Sequence, residues 1–240
     1  MRESLLLVLL CFLCIYEPLS CQTTFFQDST ISKKYIPLSA TLLAGGLIVN
    51  RDGTKRGIQD WIRERVEVSS FTVDDYIQHL PIATVLVSDA LLGRDKEVRI
   101  RHIRHLLVSE SVALGSMFLI KRITNISRPN GGGLSFPSGH TTYAFASAGV
   151  LYHSLKKDHP FWAYSGYAMA SFVGASRVLR DKHWVSDVLF GAGLGILSSH
   201  LSYHLDIWDS RGDASLQKSS ILSHISLGIT PLGAGLTVEF

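Results

Sequence analysis

Apolar runs of helical length, separated by short polar bridges, dominate this chain. Residues 36–49, 82–92, 105–120, 141–155, 161–175 and 184–205 are each predominantly apolar. Runs of that length favour helices over strands. Gly191, Gly193 and Gly195 recur in the last run, and small residues of this kind let helices approach closely. Residues 54–68 differ, because Ile58, Trp61, Ile62 and Arg65 recur at helical spacing with charge between them. That pattern predicts an amphipathic helix, either lying on a bilayer surface or packing as a lid over a bundle. At the end of the chain, ISLGIT and LTVEF flank Pro231-Leu232-Gly233-Ala234-Gly235, a hairpin pattern. The expected fold is all-α: a compact bundle of about six helices, membrane-associated, with a short C-terminal β-hairpin.

Composition narrows the class. A chain of 240 residues fits one domain. Charged residues make up 18%, against about 25% in ordinary soluble domains. A net charge of +3 with no Arg/Lys stripe excludes nucleic acid as a partner. Residues 1–21 read as an export signal, with Arg2, a short apolar core from Leu5 to Ile15, and Pro18-Leu19-Ser20-Cys21 near a cleavage point. Lipidation of Cys21 and an uncleaved anchor are the alternatives. A single domain is then expected over 22–240, starting with a polar, loose stretch at 22–35. Cys11, Cys14 and Cys21 are the three cysteines of the chain, so no internal disulfide is expected in the processed protein.

Charge also bears on topology. Arg94, Lys96, Arg99, Arg101 and Arg104 form a basic cluster of the kind that collects on cytoplasmic sides. Placing it inside sends the 105–120 helix outward and puts its far end in the periplasm, with 36–49 not spanning. Asp89 and Glu110 lie inside apolar segments, where carboxylates are expensive in a membrane. They keep open a second solution, in which nothing spans and the bundle is exported whole.

Three phrases between Lys121 and Asp187 carry the chemistry. They are Lys121-(six residues)-Arg128-Pro129, then Pro137-Ser138-Gly139-His140, then Ser176-Arg177-(five residues)-His183-(three residues)-Asp187. His183 and Asp187 share one face at the start of a helix, and a carboxylate on one ring nitrogen leaves the other as a nucleophile. An alkoxide departs poorly unless protonated, so a general acid is needed, and His140 is the candidate. Arg128 and Arg177 can each offer a bidentate fork, and Lys121 a point charge, to the oxygens of a phosphoryl group. This inventory suits phosphoryl transfer without a metal. His200 and His204 share a helical face but lack a nearby third ligand, so no metal site and no cofactor are expected.

The three phrases resemble the signature of the type 2 phosphatidic acid phosphatase superfamily, which includes membrane lipid phosphatases, soluble bacterial acid phosphatases and vanadium haloperoxidases. The resemblance implies that His183 is phosphorylated transiently, that Asp187 orients it and that His140 is the acid. It implies phosphate binding by Lys121, Arg128, Ser138, the Gly139 amide and Arg177. One departure is the short link from Asn130 to Phe136, rich in glycine, which leaves little room for a substrate-selecting insertion. The expected activity is hydrolysis of a lipid A phosphate, undecaprenyl pyrophosphate or phosphatidylglycerophosphate at the periplasmic face of a bacterial inner membrane. The chain resembles bacterial lipid A or undecaprenyl pyrophosphate phosphatases most. A soluble periplasmic acid phosphatase of broad specificity is the alternative. A vanadium haloperoxidase and a non-catalytic phospholipid-binding protein are the remaining readings.

Overall fold

The computed structural model describes residues 29–66, 72–204, 225–230 and 233–238. The export signal and all three cysteines lie outside the described residues. Among these residues eight helices appear: α1 Ser29–Val49, α2 Asp52–Arg63, α3 Asp74–Ile77, α4 Leu80–Leu91, α5 Lys96–Thr124, α6 Gly139–Leu155, α7 Pro160–Leu179 and α8 Val185–His204. Two strands follow, β1 Ile225–Thr230 and β2 Gly233–Val238, antiparallel with Gly228 opposite Gly235.

Helix α6 is the axis of the bundle. Its residues Ala144, Phe145 and Ala148 form one core with Ala170 and Val173 of α7 and Ala192 and Ile196 of α8. A second core joins Val150, Leu151 and Leu155 of α6 to Val85 of α4, Leu106 of α5 and Ala163 of α7. The small residues of these seams are what allow the close approach. A Cβ on Gly195 would lie 2.5 Å from the Thr142 carbonyl oxygen of α6. A Cβ on Gly193 would lie 2.8 Å from the Ser39 carbonyl oxygen of α1.

Two expectations need correcting. Residues 29–35 are helical, not loose, since nothing before Pro37 interrupts the helix and Pro37 is accommodated inside it. Helix α5 starts at Lys96, so most of the basic cluster is helical instead of forming a loop. Lys, Arg and Glu are good helix formers, and their charge masked that extension. Helix α2 buries Lys55 and Gln59, its polar side, while Ile58, Trp61 and Ile62 are only partly covered. Bonds to the loop beneath it, described below, decide which face turns in, and the lid reading fits this packing.

Helices α5 and α8 are long and apolar enough to cross a membrane. They differ in setting. Helix α8 is mostly buried, whereas α5 exposes Leu107, Phe118, Leu119 and Ile123.

Replacing Gly195 by valine should therefore destabilise the fold by about 1–3 kcal/mol or more, since carbonyl and amide atoms cannot yield as a side chain can. Gly115 has open space around its Cβ position, and Gly115→Ala should be neutral or stabilising by up to about 1 kcal/mol. Thermal unfolding of the two variants in detergent checks the contrast. Equal behaviour would contradict the packing described.

Candidate active site

The C-terminal ends of α5 and α7 and the N-terminal ends of α6 and α8 meet at one end of the bundle, and all three sequence phrases lie there. Helix α5 ends at Asn125 in the left-handed conformation (φ 48°). The link that follows is an ordered hairpin loop: Ser127 bridges Leu134, the Arg128 amide donates to Gly132, and the Ser135 amide donates to Ile126 over 2.7 Å. The loop turns back on itself and so delivers its carbonyls to the cations that flank it. Lys121 Nζ donates to the carbonyls of Leu134 (3.3 Å) and Ser135 (3.2 Å), and Arg128 Nε donates to that of Leu134 (3.3 Å). Burial, then the nearby Arg177 charge, hold the Arg128 guanidinium below its ordinary value.

His183 is buried just before α8. Its Nδ1 meets Asp187 Oδ2 at 3.2 Å. The same oxygen accepts the Trp184 amide at 2.9 Å, capping the helix start. Asp187 is thus fixed by the helix it begins, and it fixes the ring in turn. Burial pulls His183 down to about 4, while the Asp187 hydrogen bond and charge pull the other way. The ring is neutral at pH 7, with Nε2 as its free-lone-pair nitrogen.

A hydroxyl not foreseen from sequence joins this pair. Ser135, fully buried, donates to Asp187 Oδ2 and lies 3.3 Å from His183 Nδ1. Ser138 plays another part, capping α6: its Oγ accepts from the Thr141 hydroxyl (2.9 Å) and amide (3.5 Å). Both bonds use lone pairs, leaving the Ser138 proton available to an anion. Gly139 opens α6, where backbone amides face outward along the axis and favour negative charge.

Arg177 ends α7 and is buried. Its NH1 donates to Asp74 (2.8 Å) and Asp75 (3.2 Å) of α3, and Arg180 also binds Asp74 at 2.5 Å. Burial works to raise the Asp74 pKa, but the hydrogen bond and charge of Arg177, with Arg180, outweigh it and hold it below the usual range. Arg177 Nε is buried with no hydrogen-bond partner, a donor that an anion can satisfy. His140 bonds Asp75 through Nε2 at 3.0 Å. Sequence reading missed Asp74 and Asp75, which sit in a four-residue helix with no periodic signal. Two adjacent carboxylates were the clue available.

The phrases are also tied to one another. The Ser138 amide donates to the Asp187 carbonyl (3.1 Å), and Trp184 Nε1 donates to that of Ser127 (2.8 Å). Helix α2 covers the α7–α8 loop. Gln59 donates to the Val178 carbonyl (3.0 Å) and Asp181 (2.5 Å), while Arg63 reaches Asp181 (3.0 Å) and the Pro129 carbonyl (3.2 Å). Lys55 stands 5.5 Å over the Trp184 ring.

Residues 102–211 match the model of the PAP2 superfamily. That segment contains every residue of the three phrases. A lipid A 1-phosphatase of Porphyromonas gingivalis is 34% identical over 136 residues, 55% of this chain and 30% of that protein. The match thus spans less than a third of that relative's length. Among solved structures, a transmembrane PAP2-type phosphatidylglycerolphosphate phosphatase from Bacillus subtilis superposes with a TM-score of 0.56 at 20% identity, covering 72% of this chain and 96% of that one. Aquifex aeolicus LpxE superposes with a TM-score of 0.49 at 20% identity, over 62% and 93% of the two chains.

The low His183 value has a consequence for stability. Between pH 6.5 and about 4 the unfolded chain binds a proton at this ring that the folded chain does not. Folding stability from this group is intact above pH 6.5 and is lost as pH falls through that window. The loss amounts to about 3 kcal/mol at most, at about 1.4 kcal/mol per pH unit. His183→Asn should flatten that part of the stability–pH curve. Unfolding midpoints measured from pH 7 to pH 4 check it, and parallel curves for the two proteins would refute the buried neutral ring.

Proposed function

We propose that this PAP2-superfamily chain is a metal-independent phosphatase that removes a phosphate from a membrane lipid through a phosphohistidine intermediate. One observation carries the reading: a buried histidine held by a carboxylate, beside Lys121, Arg128 and Arg177, on a scaffold that also presents His140. In this mechanism His183 Nε2 attacks phosphorus while the ester P–O bond breaks. His140 gives its proton to the departing oxygen. Water then attacks the phosphohistidine, His140 takes the water's proton, and phosphate leaves as the N–P bond breaks. Lys121, Arg128 and Arg177 hold the equatorial oxygens, where charge develops in the transition state. The Ser138 hydroxyl and the Gly139 amide add donors from the α6 N-terminus. The charge that a metal would bring is supplied by these fixed cations.

A lipid substrate is supported by the exposed apolar face of α5, which is costly in water and natural against acyl chains. The names of the relatives point the same way. Among lipid A phosphate, undecaprenyl pyrophosphate and phosphatidylglycerophosphate, we favour lipid A phosphate, on the likeness to the Porphyromonas gingivalis protein. The basic residues Lys96, Arg99, Arg101 and Arg104 sit at the end of α5 opposite Lys121. By the preference of cations for the cytoplasmic side, the site then faces the periplasm of a bacterial inner membrane. A soluble periplasmic acid phosphatase is less compatible with the bare face of α5.

His183→Ala should abolish release of phosphate from a lipid phosphate in EDTA, with a loss of several orders of magnitude in kcat. Quenched wild type given labelled substrate should yield an acid-labile phosphohistidine. Activity above about a tenth of wild type in the variant, or a wild type that needs added metal, would refute the mechanism.

Sidedness has its own test. A cysteine at Gly132, in a background with the native cysteines changed to serine, should react with an impermeant thiol reagent once the outer membrane alone is permeabilised. Reaction only after the inner membrane is broken would place the site in the cytoplasm.

A further inference from the structure

We propose that Asp75 is the positioning residue of the acid histidine, making the site a double His/carboxylate system; this rests on the phosphatase reading above. Asp75 Oδ1 lies 3.0 Å from His140 Nε2 and 3.2 Å from Arg177 NH1. It therefore joins the group that would protonate the leaving oxygen to one that would hold the equatorial oxygens. The arrangement parallels Asp187 on His183, but the carboxylate arrives from α3, 65 residues away in sequence.

The bond decides which nitrogen of His140 moves protons. With Nε2–H donated to Asp75, Nδ1 is the nitrogen left to face substrate. In the first half-reaction the Nδ1 proton passes to the leaving alkoxide as the ester P–O bond breaks and the His183–phosphorus bond forms. In the second half, Nδ1 takes a proton from the attacking water, and the imidazolium is restored. Nε2–H stays on Asp75 throughout. No other proton donor is required.

The electrostatics fit that role. The charged groups facing His140 are Arg177 from α7 and Asp74 and Asp75 from α3. Burial, then Arg177, hold His140 below its ordinary value, and Asp75 opposes them. Without Asp75, the protonated ring has lost its nearest support. Holding Arg177 in place does not call for Asp75, because Asp74 is buried between Arg177 and Arg180 and binds both. The half-exposed Asp75 side chain (45%) adds little as a structural ion pair.

The experiment compares two leaving groups. p-Nitrophenolate departs without a proton, whereas the alkoxide of octyl phosphate needs one. Asp75→Asn should lower kcat/KM on octyl phosphate by about tenfold or more, and on p-nitrophenyl phosphate by less than about threefold, since kcat/KM reports the half-reaction in which the leaving group departs and not the water step that both substrates share. Its alkaline limb of kcat/KM on octyl phosphate should move to lower pH, because His140 loses its proton more easily. Added to His140→Ala, the change should cost nothing further. Asp75→Glu should recover part of the octyl phosphate rate. Equal losses on both substrates would reduce Asp75 to a support for Arg177 and overturn the proposal. If Asp75→Asn does not accumulate, Asp75→Glu reads the same question, and an unmoved alkaline limb would overturn the role. Wild type inactive on both substrates would overturn the phosphatase reading and this role with it.

Discussion

Lys121, Arg128 and Arg177 repel one another, and the site exists because the fold pays for holding them together. Lys121 and Arg128 share the Leu134 carbonyl, so backbone dipoles of the hairpin loop offset part of the repulsion. Arg177 is neutralised by carboxylates from a separate helix, α3. Two of the cations are thus held by backbone carbonyls and the third by carboxylates. Fixed dipoles and charges of this kind need no rearrangement as charge builds up during a reaction.

The helices were legible because apolar runs of sufficient length leave few alternatives, and α6, α7 and α8 fall close to the runs seen in the sequence. Their ends were less so. The apolar run at 105–120 marks only part of α5, whose first turns are Lys96 to Arg104, since apolar periodicity is silent where charged residues are good helix formers. Helix α2 was legible as amphipathic, but not which side would be buried. Gln59 and Lys55 turn inward because Val178, Asp181 and Trp184 meet them there, and no local pattern encodes those partners.

The same division holds for the site. His183 and Asp187 lie within one turn of chain, and Pro137 to His140 within four residues, so local spacing together with the resemblance of the three phrases brought them out. Asp74 and Asp75 reach Arg177 across more than a hundred residues, and Ser135 reaches Asp187 across 52. Contacts of that kind depend on how α3 and the hairpin loop settle on the bundle. The loop was legible as short and rich in glycine, but not the backbone bonds that make it an ordered turn.

The bond from the Ser138 amide to the Asp187 carbonyl has a wider meaning. It joins the starts of α6 and α8 through main chain alone, so the separation of the two histidines does not depend on any side chain at the rim. The residues of α2, and those of the hairpin loop outside the motif, can be exchanged while the span between His183 and His140 stays the same. A scaffold wired in this way can vary at its rim without moving those two rings apart.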